Sequence, residues 1–324
     1  MTFEALGWSG HRQRDFAARA ADGLIPGRVV GEHRTHFRVA TDAVELSAEM
    51  TGRLRNAAVQ RSDLPGVGDF VALRLGSGDG PATIEEVLPR TSALVRKASS
   101  EDRPQLLAAN VDVVFIVTAP DGDLNLPRIE RLLALVADSA AAPVIVLNKA
   151  DLTDDVDGAM EQIATVSPGV PIHAVSAHAH RLSGIERHFT DNRTVGLIGS
   201  SGVGKSTLTN ALLGRAAQAT QEVRAHDSRG RHTTTHRQLF LRPGGGSIID
   251  TPGMRGVEVW NKNNAADINF ADVEALALNC KFSNCRHETE PKCAVRAAVA
   301  RGDLDAERVA GYTRRAREAM SSAR

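Results

Sequence analysis

The chain has 324 residues, with 39 Lys and Arg against 39 Asp and Glu, 42% hydrophobic and 4% aromatic residues. That length exceeds one comfortable core, so two or three domains are expected, and zero net charge excludes a whole-chain attraction to nucleic acid, leaving only local clusters. No apolar run is long enough to span a bilayer and residues 1–10 lack the pattern of a signal peptide, so a cytoplasmic monomer without a membrane partner is expected.

Residues 1–23 carry His11, Arg12, Arg14 and Arg19 among alanines, with a weak helical face of Ala5, Phe16, Ala17 and Ala20, and read as a poorly anchored leader. From Gly27 the pattern turns to short β-rich pieces at 28–30, 36–39, 43–46, 69–73 and 82–88, separated by turn signals at Gly31, Pro65-Gly66 and 76–81. Five such strands predict a small closed barrel of the oligonucleotide-binding (OB) type over 24–98. Arg53, Arg55, Arg61, Arg90, Arg96 and Lys97 are candidate phosphate contacts, against the alternative that loops carry solvated charge.

A second region, 99–260, reads as an α/β domain. The apolar runs 113–117 and 143–147 have the character of strands buried on both faces, with a helical pattern at 126–138 between them, which predicts a parallel sheet with a ligand edge at the strands' C-terminal ends. At that edge stand Asn148, Lys149, Ala150 and Asp151. A carboxylate at 151 can accept from the N1 hydrogen and 2-amino group of guanine, Asn148 can support the O6/N7 edge, and the Lys149 stem can pack over the base. A further strand at 171–175 leads into Ser176-Ala177, whose backbone can close over O6. After the apolar run 194–198 come Gly199, Ser200, Ser201, Gly202, Val203, Gly204, Lys205, Ser206 and Thr207, then a helix-like stretch to 213. Strand, glycine loop and helix in that order form a phosphate-binding loop, with Lys205 for the β- and γ-phosphates and the Ser206 hydroxyl for Mg²⁺. GTP and GDP are the nucleotides this combination selects.

Residues 224–237, rich in Arg, His and Thr, read as a switch loop in which a Thr contacts Mg²⁺ and the γ-phosphate. In the strand end 247–253, Asp250 is expected to hold Mg²⁺ through water and the Gly253 N–H to sense the γ-phosphate. Where Ras-like enzymes carry a water-orienting glutamine stands Met254, so another group must supply that function. His232 is the candidate catalytic side chain, with a solvent-exposed loop histidine as the alternative. Base recognition precedes the phosphate loop along the chain, the reverse of the usual order, which implies a circular permutation of the domain.

Cys280, Cys285, His287 and Cys293 offer three thiolates and one imidazole, a closed set for one structural Zn²⁺ in a C-terminal domain, 261–324; a reduced cluster without metal is the alternative. Helices are expected at 294–301 and 304–320, the second ending in Arg314, Arg315 and Arg317, which either meet RNA or are solvated.

Taken together, Asn148 to Asp151, residues 199–207, 230–235 and 250–253, and the Cys/His spacing resemble the ribosome small-subunit-dependent GTPases, the RsgA (YjeQ) family, over about residues 25–320. The resemblance implies a multidomain α/β protein: an N-terminal OB barrel, a circularly permuted P-loop GTPase domain and a C-terminal zinc-containing helical domain. It also implies GTP hydrolysis stimulated by the small ribosomal subunit and its rRNA, and a role in late maturation of that subunit. A hydrophobic residue at the Met254 place and a switch-loop histidine at 232 fit the family. Thr233, Thr234 and Thr235 are all open as the Mg²⁺ ligand, with Thr234 the middle choice. The alternative function is a nucleotide-gated RNA-binding module in which hydrolysis is incidental.

Overall fold

The computed structural model describes residues 2–33, 36–76, 80–98, 101–121, 124–215 and 237–250, and toward the C-terminus 273, 276–282, 285–287, 290–301, 303–304, 309 and 313. Two compact units divide the chain, Met1–Trp260 and Asn261–Arg324.

The first unit begins with a one-turn 3-10 helix, Phe3–Leu6, and helix α1 (Gly10–Ala21). Both are packed down, contrary to the expectation of a loose leader: Phe3, Leu6 and Phe16 are buried. Phe3, Trp8 and Phe16 join Phe70 in one ring cluster with centroids 4.7 to 6.2 Å apart. The alanine-rich periodicity understated this anchoring because the binding energy lies in three aromatic side chains whose partner is more than fifty positions away. Arg12 lies over the Phe70 ring at 4.1 Å and donates to Asn110 Oδ1 at 2.9 Å. Arg28, only 1% exposed, ties three segments together by donating to the carbonyls of Leu6, Gly68 (3.2 Å) and Asn110 (3.1 Å). Burial pushes its guanidinium down to about 9, with Arg12 adding to the shift, so it remains a cation at neutral pH.

The barrel strands are β1 (Ile25–His33), β2 (His36–Ala40), β3 (Glu45–Met50), β4 (Phe70–Arg74) and β5 (Ala82–Val87), in the order β1-β2-β3-β5-β4 and closed by β1–β4 pairing. Val29, Phe37, Val39, Ala48, Val71, Leu73 and Ile84 fill the interior. The third strand starts later than expected because the Thr41 hydroxyl and Val44 backbone close a turn over 41–44. A short exposed helix, α2 (Gly52–Ala57), carries Arg53 and Arg55, and Arg61 follows in a 3-10 turn, also exposed. Arg90 is committed inside the protein instead: Nε and Nη2 each donate at 2.7 Å to the fully buried Asp69, and Ser62 and Leu64 carbonyls accept its other N–H groups. It is a structural cation, not a phosphate contact. Arg96 lies in a strand unforeseen from the sequence, β6 (Ala93–Ala98), together with Lys97; β6 pairs with β7 (Glu101–Ala109), and Arg96 donates to Gln105.

The α/β part contains β8 (Val113–Thr118), α3 (Leu126–Ala137), β9 (Ala142–Leu147), α4 (Val156–Val166), β10 (Ile172–Ala174), β11 (Thr194–Gly199), α5 (Lys205–Leu213), β12 (Gln238–Leu241) and β13 (Ser247–Asp250). Strands β10-β9-β8-β11-β13 are parallel and β12 is antiparallel at the edge. Every residue of β8 is buried, Val114 and Ile116 toward one core and Val113, Phe115 and Val117 toward the other, as a strand covered on both faces requires. The sheet does not stop at the barrel. Gly31 of β1 pairs with Gln238 of β12, and Glu32 lies 3.9 Å from Arg237, so barrel and α/β sheet form one eleven-stranded surface.

A histidine pair braces the outer edge of this sheet. His173 on β10 and His188 in the 3-10 segment Glu186–Asn192 face each other Nε2 to Nε2 at 3.2 Å, with Phe115 edge-on to His188. Burial pushes both imidazoles below their ordinary range; Arg187 adds to the shift at His173, while His173, Arg187 and Arg193 add to it at His188. Because the folded values lie below the unfolded one, the neutral pair's contribution is present above about pH 6.5 and lost as pH falls through the lowered values. The wild-type melting temperature is therefore expected to fall more between about pH 7.5 and 5.5 than that of His188→Gln. Parallel pH profiles in a thermal-shift series would remove the pair from the acid response.

In the second unit, Val273, Cys293, Val295, Ala298, Leu304 and Val309 form a small core, and the helix expected at 294–301 is observed as α6 (Ala294–Arg301). Arg314, Arg315 and Arg317 lie outside the described residues. No helix among the described residues is long and apolar enough to cross a membrane.

Candidate functional site

The ends of β8, β9, β10, β11 and β13 bring Thr118, Asn148, Ser176, Ser200 and Asp250 to one sheet edge, the edge at which open parallel sheets bind ligands. The loop 199–204 leaves β11 and turns directly into α5, which starts at Lys205, earlier than the apolar pattern indicated. Two glycines make this turn possible. Gly199 has φ +146°, and a Cβ there would lie 2.3 Å from the Val117 carbonyl oxygen. Gly204 has φ +91°, and a Cβ would meet Asn148 Nδ2 at 2.4 Å. The Lys205 side chain, 7% exposed, curls within the loop and donates to the Gly199 and Ser200 carbonyls at 2.9 and 2.5 Å. The backbone N–H groups at the start of α5 and this ammonium together suit a phosphate group.

Asn148 has a task the sequence did not disclose. Only 1% exposed, it donates from Nδ2 to the Val203 carbonyl at 2.9 Å and accepts at Oδ1 from the Ala177 N–H at 3.1 Å. The amide expected at the base edge thus braces the phosphate loop against the 176–177 turn, and the Ala177 N–H is its partner. Lys149 has φ +59°, a conformation rare for a side-chain-bearing residue, and its ammonium pairs with Asp121 Oδ2 at 2.5 Å. A Cβ at Gly204 would lie 3.9 Å from the Lys149 Cε. Asp151 is exposed, and the Ser176 side chain nearby holds its carboxyl below the usual range. Ser176 in turn accepts from the Ala179 N–H at 3.1 Å, and its backbone bridges to Arg181. Asp151 is therefore an ionised acceptor, as a donor edge of guanine needs.

For Mg²⁺ the donor set fits. Ser206 stands in the first turn of α5 and Asp250 is buried at the end of β13, paired in register with Leu197 of β11. A hydroxyl and a carboxylate at the phosphate loop are hard oxygen ligands suited to that ion. Thr207 follows Ser206 in the same turn, and Ser201 and Gly202 are exposed at the loop's tip. His232, Thr234, Gly253 and Met254 lie outside the described residues. Asp121 was not singled out from the sequence; the available signal was an acid in the loop after a buried strand.

In the second unit, the ligand atoms of Cys280, Cys285, His287 and Cys293 lie within 4.8 Å of one another, the one such cluster found among the described residues. The Cys280–Cys293 sulfurs are 3.8 Å apart, and His287 Nδ1 is 3.6 and 3.4 Å from them. A tetrahedron with Zn–S of about 2.3 Å has sulfur–sulfur edges of about 3.8 Å, so these atoms fit that ion. Cys293 also caps α6, its sulfur accepting from the Arg296 N–H at 3.5 Å.

A P-loop nucleoside triphosphatase with its base-reading strand placed ahead of its phosphate loop is the class that this fold and edge define. The family described as RsgA GTPase matches residues 87–260. The small ribosomal subunit biogenesis GTPase RsgA 2 of Lactiplantibacillus plantarum is 44% identical over 300 residues, covering 92% of this chain and 84% of that protein. Its counterpart in Opitutus terrae is 42% identical over an alignment of 335 residues, covering 100% of this chain and 91% of that protein. Among solved structures, YjeQ from Thermotoga maritima superposes with a TM-score of 0.56 at 26% identity, covering 91% of this chain and 98% of that one. YloQ, described as a circularly permuted GTPase, shares the fold with a TM-score of 0.53 at 23% identity, over 91% of this chain and 96% of its own. The chain belongs to the RsgA GTPase family, and it is a GTP-hydrolysing enzyme.

Proposed function

We propose that this enzyme acts on the small ribosomal subunit, binding it and its rRNA in the cytoplasm and hydrolysing GTP to GDP and phosphate in response, late in subunit maturation. The names of its relatives support the subunit as partner. The observation that carries the nucleotide assignment is the Asn148 amide, which joins the phosphate loop at Val203 to the base-reading turn at Ala177. Asp151 selects guanine; Lys149 flanks the base; residues 199–207 cradle the phosphates, and Lys205, which holds the Gly199 and Ser200 carbonyls here, turns to them on binding. Ser206, Thr234 and Asp250, the last through water, would hold Mg²⁺, which would supply charge neutralisation at the phosphates. His232 orients the attacking water in the role that Met254 cannot fill, and the Gly253 N–H reads the γ-phosphate. Zn²⁺ on Cys280, Cys285, His287 and Cys293 is structural.

The deciding experiment measures GTP turnover of the full chain alone, with purified small subunits and with large subunits as control. Stimulation by small subunits alone is expected. GTP-dependent subunit binding without stimulation would point to a gated RNA-binding module, and loss of both would remove the ribosomal partner.

A further inference from the structure

Arg128 occupies the first turn of α3, where its backbone N–H is capped by Asn125 Oδ1 at 2.9 Å. A cation there opposes the helix macrodipole, which favours acids at an N-terminus. Its guanidinium crosses to the phosphate loop and donates from Nη1 to Ser200 Oγ at 2.5 Å. Ser200 is thus held at two points, its carbonyl by Lys205 and its hydroxyl by Arg128. The first hold is given up when Lys205 turns to a phosphate; the second does not use that ammonium.

We infer that Arg128 is a positioning residue for the nucleotide site, fixing the phosphate loop through Ser200 Oγ. The inference rests on the proposed assignment of residues 199–207 to GTP. The loop needs such a fastening because Gly199, Gly202 and Gly204 all have positive φ. Glycine-rich backbone has many conformations to lose, and a loop shaped in advance loses fewer of them on binding. A guanidinium suits the task because it stays charged and its planar donors hold direction, and its charge adds to the field that draws a polyphosphate.

A double-mutant cycle on the full chain tests this, using Arg128→Ala, Ser200→Ala and the pair, with GDP and a non-hydrolysable GTP analogue as titrants and melting temperatures as folding controls. Ser200→Ala is expected to weaken binding about tenfold, Arg128→Ala at least as much because it also removes a charge, and the pair no more than Arg128→Ala, because the contact is shared. Arg128→Lys should recover part of the loss, and KM should move more than kcat. Singles that multiply in the double variant, or wild-type affinity in either single, would overturn the inference; Ser200→Ala alone decides if Arg128→Ala does not fold. A wild-type chain that binds neither titrant would overturn the site assignment instead.

Discussion

Stripping the metal from the C-terminal unit, by chelation or by Cys280→Ser, is expected to unfold it. Its apolar core among the described residues is a handful of side chains, Val273, Val295, Ala298, Leu304 and Val309, with Cys293 itself as a sixth member. The four ligands tie together segments that also carry this core, and a structural zinc site contributes on the order of 10 kcal/mol. Zinc binding must first remove the thiol protons. Burial pushes the Cys280 thiol up, but N–H groups of Ala294 and Val295 and the neighbouring thiols outweigh it, so it sits below the ordinary range; Cys285 is pushed up to about 11, chiefly by burial. Metal analysis should give one zinc per chain. After chelation, far-UV circular dichroism should lose the helical signal of α6, and limited proteolysis should remove the segment after about residue 260 while Met1–Trp260 persists. A metal-free chain with unchanged protease resistance would show that the thiols and imidazole pack without an ion.

Lys205→Ala is expected to weaken GTP and GDP binding by two to three orders of magnitude and to reduce turnover at least as much. The ammonium is almost fully buried in the loop, and removing one member of a desolvated, hydrogen-bonded charge pair costs about 3–4 kcal/mol. The same change frees the Gly199 and Ser200 carbonyls that Lys205 now satisfies, so a small loss of stability accompanies the functional one. Isothermal titration with GDP separates the two effects, since the folded fraction is known from the melting curve. Affinity within about threefold of wild type would mean that the backbone N–H groups alone carry the phosphate, against the magnitude expected of a charged donor.

Barrel and α/β part are joined through the strand that follows the proposed switch loop. β12 begins at Gln238, next to Arg237, and Gly31 and Glu32 of the barrel meet these two residues. A change in the loop before β12 therefore has a short mechanical route into the barrel, through one backbone pairing and one ion pair.

The words that carry chemistry were legible because their chemistry demands fixed local spacing. A phosphate loop needs its glycines, lysine and serine within nine positions, 199–207, and a tetrahedral metal site needs its four donors on one compact stretch, Cys280 to Cys293. The buried runs at 113–117 and 143–147 were legible for a similar reason, since a strand covered on both faces is apolar along nearly its whole length. Arg90 illustrates the limit: its sequence neighbourhood suggests a surface cation, and only folding brings it onto the buried Asp69, 21 positions away. The leader's fastening through Phe3, Trp8 and Arg28, the Asn148 brace 55 positions from Val203, and the Arg128–Ser200 contact across 72 positions are of the same kind. The sequence by itself determined which chemical groups are present and the local geometry each can adopt. Only the tertiary structure decided which of those groups are spent on one another, because burial and long-range pairing, not residue type, settle whether a charge or an amide holds the fold or is left for a ligand.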